Sequence, residues 1–157
     1  MITYHNGDIL KSGADVICHQ VNCQGVMGGG LAKQIRQRWP NVYESYLQYI
    51  TFERMIGGLE LGSNWLVSIN DDGKYPLIVN MFAQYEFGKD KQYTDYAAFK
   101  LCCENLYVDF KEMKPIIAFP YKIGCGLAGG DWSVVRGIIK EVFADYAGEV
   151  QIWKLEK

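Results

Sequence analysis

The chain has 157 residues, of which 49% are hydrophobic and 22% are charged, and its formal net charge is −2. This length and composition are ordinary for a globular protein, so we expect residues 1–157 to form a single domain with a well-filled core. The small negative charge argues against broad binding of nucleic acid, and no apolar run approaches the length of a membrane span.

Strand-like and helix-like segments alternate along the whole chain. Pro40 separates two predicted helices, because the residue before a proline avoids the helical region whereas proline itself suits a first helical turn. The Asn-Asp-Asp-Gly sequence at 70–73 is a turn signal between two apolar runs. Together these features predict an α/β fold with a mixed sheet between helices. The predicted strands are 2–5, 15–21, 65–69, 77–82, 116–120 and 150–155, and the predicted helices are 9–12, 31–38, 41–54, 93–114 and 133–146.

The five cysteines are odd in number and show neither a disulfide framework nor a Cys-x-x-Cys pair. We therefore expect reduced thiols, a cytoplasmic location and no structural zinc site. The N-terminal residues also lack the apolar segment of a signal peptide, and we expect no contact with a membrane.

Two glycine-rich loops each follow a predicted strand and precede a predicted helix. The first contains the run 28–30, and the second spans 124–130. Glycine lets backbone N–H groups come close to an anion, and the free N–H groups at a helix start point toward it. A single loop of this kind is about as often a tight turn without a ligand as it is a phosphate-binding loop. Two of them predict a ligand with two phosphates, or one diphosphate held from both sides.

Other phosphate-binding patterns fit this sequence less well. Leu31 and Ala32 occupy the positions where a Walker loop needs Lys and Ser or Thr. Residues 124–129 match the Gly-x-Gly-x-x-Gly spacing of dinucleotide-binding proteins, but they come too late in the chain for a first βαβ unit. A Rossmann-type NAD-binding oxidoreductase stays open as an alternative of another class.

Four polar or aromatic residues near these loops are candidates for ligand contacts. His19 suits proton transfer because the unperturbed imidazole titrates near neutrality, although a lone histidine is about as often buried and satisfied by the backbone. It could position or deprotonate a water, or protonate a leaving oxygen. Asn22 could hold a sugar hydroxyl or form a turn. Asp8 could accept from an exocyclic amine or cap a short helix, and Trp153 could stack on a purine or belong to the core.

Taken together, these motifs resemble the macro domain family of ADP-ribose-binding modules, in the right order over essentially the whole chain. The resemblance implies a three-layer α/β/α sandwich with a mixed central sheet. It implies that adenine lies near Asp8 and Trp153 and the distal ribose near His19 and Asn22, which are the implied catalytic residues. The implied ligand-binding residues are Asp8, Ile9, Asn22, Gly28, Gly29, Gly30, Leu31, Ile123, Gly124, Cys125, Gly126, Leu127 and Trp153.

The run His-x-x-Asn-Cys-x-Gly-x-x-Gly-Gly-Gly at 19–30 resembles the branch that contains ADP-ribose-1″-phosphate phosphatases. Related members remove ADP-ribose from glutamate side chains or DNA bases, using a lysine and an aspartate where Gln84 and Ala128 stand here. The resemblance therefore implies hydrolysis of ADP-ribose-1″-phosphate to ADP-ribose and phosphate, without metal or cofactor. The alternatives are a non-catalytic ADP-ribose reader and a hydrolase of ADP-ribosylated proteins or nucleic acids.

Overall fold

A computed structural model describes residues 1–155, and every predicted strand and helix has a counterpart in it. None of the helices in this described part is long and apolar enough to cross a membrane. The strands are β1 (Ile2–Asn6), β2 (Val16–Val21), β3 (Asn64–Ser68), β4 (Leu77–Phe82), β5 (Ile117–Pro120) and β6 (Val150–Lys154). The α-helices are α1 (Gly30–Arg38), α2 (Pro40–Ile56), α3 (Tyr96–Phe110) and α4 (Trp132–Val142), and a short 3-10 turn covers Ile9–Lys11.

The strands form one mixed sheet in the order β1-β6-β5-β2-β4-β3. All neighbouring strands pair in parallel except β3, which pairs antiparallel with β4 at the edge. The mixed sheet is therefore confirmed, as is the turn at 70–73 between β3 and β4. Because the carboxyl ends of the parallel strands lie at one edge, the loops that follow β2 and β5 meet there.

Helices cover both faces of the sheet, which confirms the three-layer sandwich. Alternate residues of a strand point to opposite faces, and the residues of β2 follow this rule. Cys18 packs in the core with Phe99 of α3 and Val135 of α4. Ile17 packs on the opposite face with Ile35 of α1.

The predicted helices 93–114 and 133–146 were too long. Helix α3 begins only after Asp95, whose side chain accepts from the Ala98 N–H at 3.0 Å. Helix α4 ends at Val142, but Phe143 and Tyr146 stay buried beyond it. The apolar spacing therefore continues beyond the last helical residue of α4, which explains why the predicted helix was too long.

Candidate functional site

Three adjoining pockets form one groove along the carboxyl edge of the sheet. The Trp153 pocket, of about 200 Å³, lies beside the 3-10 turn. The central crevice, of about 230 Å³, lies between the two glycine loops. The Asn22 pocket, of about 450 Å³, lies at the other end. Gly30 and Leu31 line the first two pockets, and Gly29 and Leu127 line the last two, so the groove is continuous.

The first glycine loop leads directly into the N-terminus of α1. Gly29 is the N-cap, and no side chain caps this helix end. Within the described residues, the backbone N–H groups of Gly30, Leu31 and Ala32 have no hydrogen-bond partner in the protein. Free N–H groups and the positive end of the helix dipole favour an anion at this position.

The second glycine loop closes on itself and leaves further donors free. The Gly130 N–H donates to the Gly124 carbonyl at 2.9 Å, and the Gly129 N–H donates to the Gly126 carbonyl at 3.1 Å. Over residues 1–155, no protein acceptor is found for the N–H groups of Gly126 and Leu127. Both residues line the central crevice, so the crevice has potential anion donors on its two sides.

Two side chains, Thr94 and Gln20, hold the second loop in place. Thr94 Oγ1 donates to the Gly124 carbonyl at 2.6 Å, and Gln20 Nε2 donates to Thr94 Oγ1 at 2.9 Å. A Cβ at Gly124 would lie 2.6 Å from Gln20 Oε1, and its φ of +72° belongs to the left-handed region. The positive φ favours glycine at position 124, and an added Cβ would also displace the Gln20 amide.

Cys125 does not line any of the three pockets, and its contact with a ligand stays a prediction. Its thiol instead donates to the Ile123 carbonyl at 3.3 Å, while Ile123 itself lines the central crevice. Burial raises the pKa of the Cys125 thiol to about 11. All five cysteines are free thiols.

Asn22 lines its pocket but uses its amide to fold the first loop. Its Oδ1 accepts from the Gln24 N–H and the Tyr46 hydroxyl, both at 3.0 Å, and its Nδ2 donates to the Val26 carbonyl at 2.8 Å. The turn-forming alternative is therefore confirmed. Contact of Asn22 with a sugar hydroxyl stays a prediction.

His19 lies in β2 with only 1% of its surface exposed, and it is one of the residues around the central crevice. Its Nε2 is 2.6 Å from Asn80 Oδ1. Because Asn80 Nδ2 donates to the Trp65 carbonyl at 3.0 Å, Oδ1 must accept, and the imidazole proton is assigned to Nε2. Nδ1 is then an acceptor, and it has no partner among the described residues.

The charge state of His19 bears on its predicted roles. Burial lowers its pKa from the ordinary 6.5 to about 4, although the hydrogen bond with Asn80 opposes this shift. The imidazole is therefore neutral near pH 7, and its single proton is bound to Asn80. This state suits acceptance of a hydrogen bond or proton at Nδ1 better than donation to a leaving oxygen.

Asp8, Ile9 and Trp153 come together in the Trp153 pocket, although Trp153 lies near the opposite end of the chain. Asp8 Oδ1 accepts from the Leu10 N–H at 2.9 Å, which confirms its capping role. The indole of Trp153 stacks on His5 with ring centroids 4.9 Å apart. An apolar ring beside a carboxylate is suited to a planar base with an exocyclic amine.

The loop between β4 and α3 also lines the Asn22 pocket, through Gln84, Phe87, Gly88 and Lys89. Of these, the sequence analysis considered only Gln84, at the position where related hydrolases are expected to have a lysine. The signal in the sequence was a polar, aromatic loop of ten residues after a buried strand, but nothing in it showed where the loop folds. Gln84 Oε1 accepts from Gln20 Nε2 at 2.8 Å.

No carboxylate among the described residues stands next to His19. Asp131 caps α4 by accepting from the Ser133 N–H at 2.8 Å, and Asp90 accepts from the Tyr93 hydroxyl. Over residues 1–155 there is also no group of three or more His, Cys, Asp or Glu side chains that could hold a metal ion.

Comparison with known proteins identifies relatives of this chain. The pattern of the Macro domain family matches residues 18–139. An ADP-ribose 1″-phosphate phosphatase of Scheffersomyces stipitis is 44% identical over 93% of this chain and 97% of its own length. A DNA ADP-ribosyl glycohydrolase of Mycobacterium tuberculosis is 44% identical over 29% of this chain, but this match spans only 13% of that longer protein.

Solved structures share the fold. The macrodomain of Mycobacterium tuberculosis DarG has a TM-score of 0.82 at 24% identity and covers 98% of this chain and 97% of that one. A Bacteroides thetaiotaomicron protein of unknown function has a TM-score of 0.83 at 28% identity, with 98% of both chains covered. Thermosipho africanus DarTG, solved in complex with ADP-ribose, has a TM-score of 0.81 at 21% identity over 97% of this chain and 41% of that one.

Proposed function

The chain belongs to the macro domain family, and we propose that its groove binds ADP-ribose and that it hydrolyses ADP-ribose-1″-phosphate to ADP-ribose and phosphate. One observation carries this proposal: the two glycine loops present unpartnered N–H groups from opposite sides of one crevice. A pocket adjoins that crevice at each end. A diphosphate with a bulkier group at each end fits this arrangement of one crevice between two pockets.

In the proposed complex, the diphosphate lies in the central crevice. Gly28, Gly29 and Gly30 approach it from one side, and Gly126 with Leu127 approaches it from the other. The adenine occupies the Trp153 pocket, where the carboxylate of Asp8 accepts from the purine amine. The distal ribose and its 1″-phosphate occupy the Asn22 pocket.

The proposed reaction is the attack of water on the phosphorus of the 1″-phosphate. A P–O bond to water forms, the bond between phosphorus and the C1″ oxygen breaks, and that oxygen gains a proton to become a hydroxyl. Loop N–H groups stabilise the charge on the transferring phosphoryl group. Asn22 keeps the first loop in its ligand-binding shape. A catalytic role for His19, which adjoins the central crevice and not the Asn22 pocket, stays a prediction.

Three alternatives differ in their support. A non-catalytic reader would use the same groove without phosphate release. An ADP-ribosyl hydrolase is favoured by the relatives named DNA ADP-ribosyl glycohydrolase, but Gln84 and Ala128 replace the lysine and aspartate that the resemblance implies for such enzymes. A Rossmann-type oxidoreductase disagrees with the family to which the chain belongs.

Two further proposals concern the protein as a whole. The chain forms one domain, since helices α1 to α4 pack on a single sheet within residues 1–155. The protein acts in the cytoplasm, where its five free thiols stay reduced.

Calorimetry with ADP-ribose, NAD, ADP and ribose-5-phosphate tests the binding proposal, with phosphate release from ADP-ribose-1″-phosphate measured in parallel. We expect ADP-ribose to bind most tightly and phosphate to be released above background. Binding without phosphate release would support the reader, and tighter binding of NAD would contradict the proposed ligand. Release of ADP-ribose from modified DNA or protein would instead support the glycohydrolase.

A further inference from the structure

The Asn22 pocket is uncharged except at one position. Its lining includes the apolar side chains of Val21, Val26 and Leu127 and the amides of Gln20 and Gln84. Lys89 is the only charged residue that lines it among residues 1–155. A cation beside a largely apolar pocket favours a ligand that carries negative charge at that end.

The loop that carries Lys89 is anchored at both ends and in its middle. Gln84 and Thr94 form a β-bridge that closes the loop. The Tyr93 N–H donates to the Ala128 carbonyl at 2.7 Å, which ties the loop to the second glycine loop. Gly88 lies so close to Tyr93 that a Cβ would stand 2.6 Å from its hydroxyl oxygen. Lys89 is therefore an exposed residue in a turn that is tied to the second glycine loop.

The charged neighbours of Lys89 have other partners. Lys91 Nζ lies 5.2 Å from the centre of the Tyr93 ring, and Asp90 accepts from the Tyr93 hydroxyl. Lys89 forms no ion pair with any residue in the described part of the chain. Its charge is thus available to a ligand in the Asn22 pocket.

We propose that Lys89 is a specificity-determining residue that recognises the phosphomonoester on the distal ribose. This inference rests on the proposed function. The 1″-phosphate carries up to two negative charges, whereas an ADP-ribose joined to a protein side chain or a nucleic-acid base brings no phosphomonoester to this pocket. Lys89 therefore favours the phosphorylated ligand over ADP-ribose itself and over ADP-ribosylated macromolecules.

The test compares wild type with Lys89→Gln, Lys89→Arg and the matched control Lys91→Gln, which removes a nearby cation outside the pocket. The Kd for ADP-ribose and the KM and kcat for ADP-ribose-1″-phosphate are measured at low and high salt. We expect Lys89→Gln to raise KM by about fivefold or more at low salt, as for loss of a favourable exposed ion pair. Its Kd for ADP-ribose should change by less than about twofold, in line with an unaltered diphosphate site.

The controls separate charge recognition from a structural effect. Lys89→Arg should retain most of the wild-type KM, Lys91→Gln should match wild type, and high salt should narrow the gap between wild type and Lys89→Gln. Equal losses for ADP-ribose and its 1″-phosphate would overturn the inference, because Lys89 would then act on the diphosphate. Unchanged KM in Lys89→Gln would also overturn it. A wild-type protein that does not bind ADP-ribose would contradict the proposed function instead.

Discussion

His19 and Asn80 lie opposite each other on parallel strands β2 and β4, and their side chains meet through a 2.6 Å hydrogen bond between Nε2 and Oδ1. The amide of Asn80 is itself fixed by the Trp65 carbonyl. This buried pair sets the tautomer of His19 and leaves Nδ1 as a buried acceptor without a partner among the described residues.

The burial of His19 predicts that the protein loses stability in mild acid. Its pKa is about 4 in the folded state and 6.5 ordinarily, so the unfolded chain binds the proton more readily. The contribution of neutral, buried His19 to the free energy of unfolding is fully present above pH 6.5 and is lost as the pH falls toward 4. Between pH 7 and pH 5 this amounts to about 2 kcal/mol.

Urea denaturation of wild type and His19→Gln at several pH values measures this effect. Glutamine can still donate to Asn80 but does not titrate in this range. We expect the variant to lose less stability than wild type between pH 7 and pH 5, because all other groups titrate alike in both proteins. Parallel pH dependences would contradict the assignment of a buried, neutral His19.

Gly29→Glu is expected to abolish ADP-ribose binding while the fold survives. A Cβ at this position lies 3.1 Å from Leu127 Cδ1, and the carboxylate would stand among the N–H groups that face the diphosphate. Repulsion of like charges costs several kcal/mol, so the affinity should fall by about a hundredfold or more. Calorimetry and thermal unfolding measure the two properties separately.

Gly137→Glu is the matched control for that substitution. Gly137 lies in α4 with no atom within 4 Å of its added Cβ, outside the three pockets. This variant should bind like wild type. If Gly29→Glu keeps wild-type affinity, the first glycine loop does not hold the diphosphate.

Asp8 is expected to serve both stability and adenine recognition, and two substitutions separate these roles. Asp8→Ala removes the cap on the Leu10 N–H and should cost about 1 kcal/mol of stability. It should also weaken ADP-ribose binding by about 1.5–3 kcal/mol through loss of a charged hydrogen-bond acceptor. Asp8→Ser should retain the cap and lose only the affinity.

An inosine analogue of ADP-ribose completes the Asp8 test. It lacks the exocyclic amine, so wild type should bind it more weakly than ADP-ribose, and the serine variant should not distinguish the two ligands. If Asp8→Ser binds ADP-ribose as wild type does, Asp8 is a helix cap alone.

Gly124→Ala is expected to destabilise the protein by about 1–3 kcal/mol, because it combines a positive φ with a close approach to Gln20 Oε1. Gly126→Ala, in the same loop, meets no atom within 4 Å and has no positive φ. Chemical denaturation should therefore show a much smaller loss for Gly126→Ala. Similar losses at both positions would mean that the second loop relaxes around an added methyl group.

The sequence by itself predicted the order of strands and helices, the mixed sheet and the two glycine loops. These features follow from local properties: apolar spacing marks the elements, Pro40 ends a helix, and glycine runs allow close backbone approach. The sequence also indicated that Asp8 and Trp153 contact one end of the ligand. This inference came only from resemblance to a family, since the two residues are far apart in the chain.

The tertiary structure decided what each polar side chain can do there. Whether His19 is charged depends on burial beneath α1 and on Asn80, which lies 61 residues away along the chain. The Cys125 thiol is bound to the Ile123 carbonyl, and the Asn22 amide is occupied by its own loop. Lys89 reaches the Asn22 pocket because its loop is tied to Ala128.

Residue type and spacing record local preference, whereas solvation, hydrogen-bond partners and the path of a loop depend on contacts between distant segments.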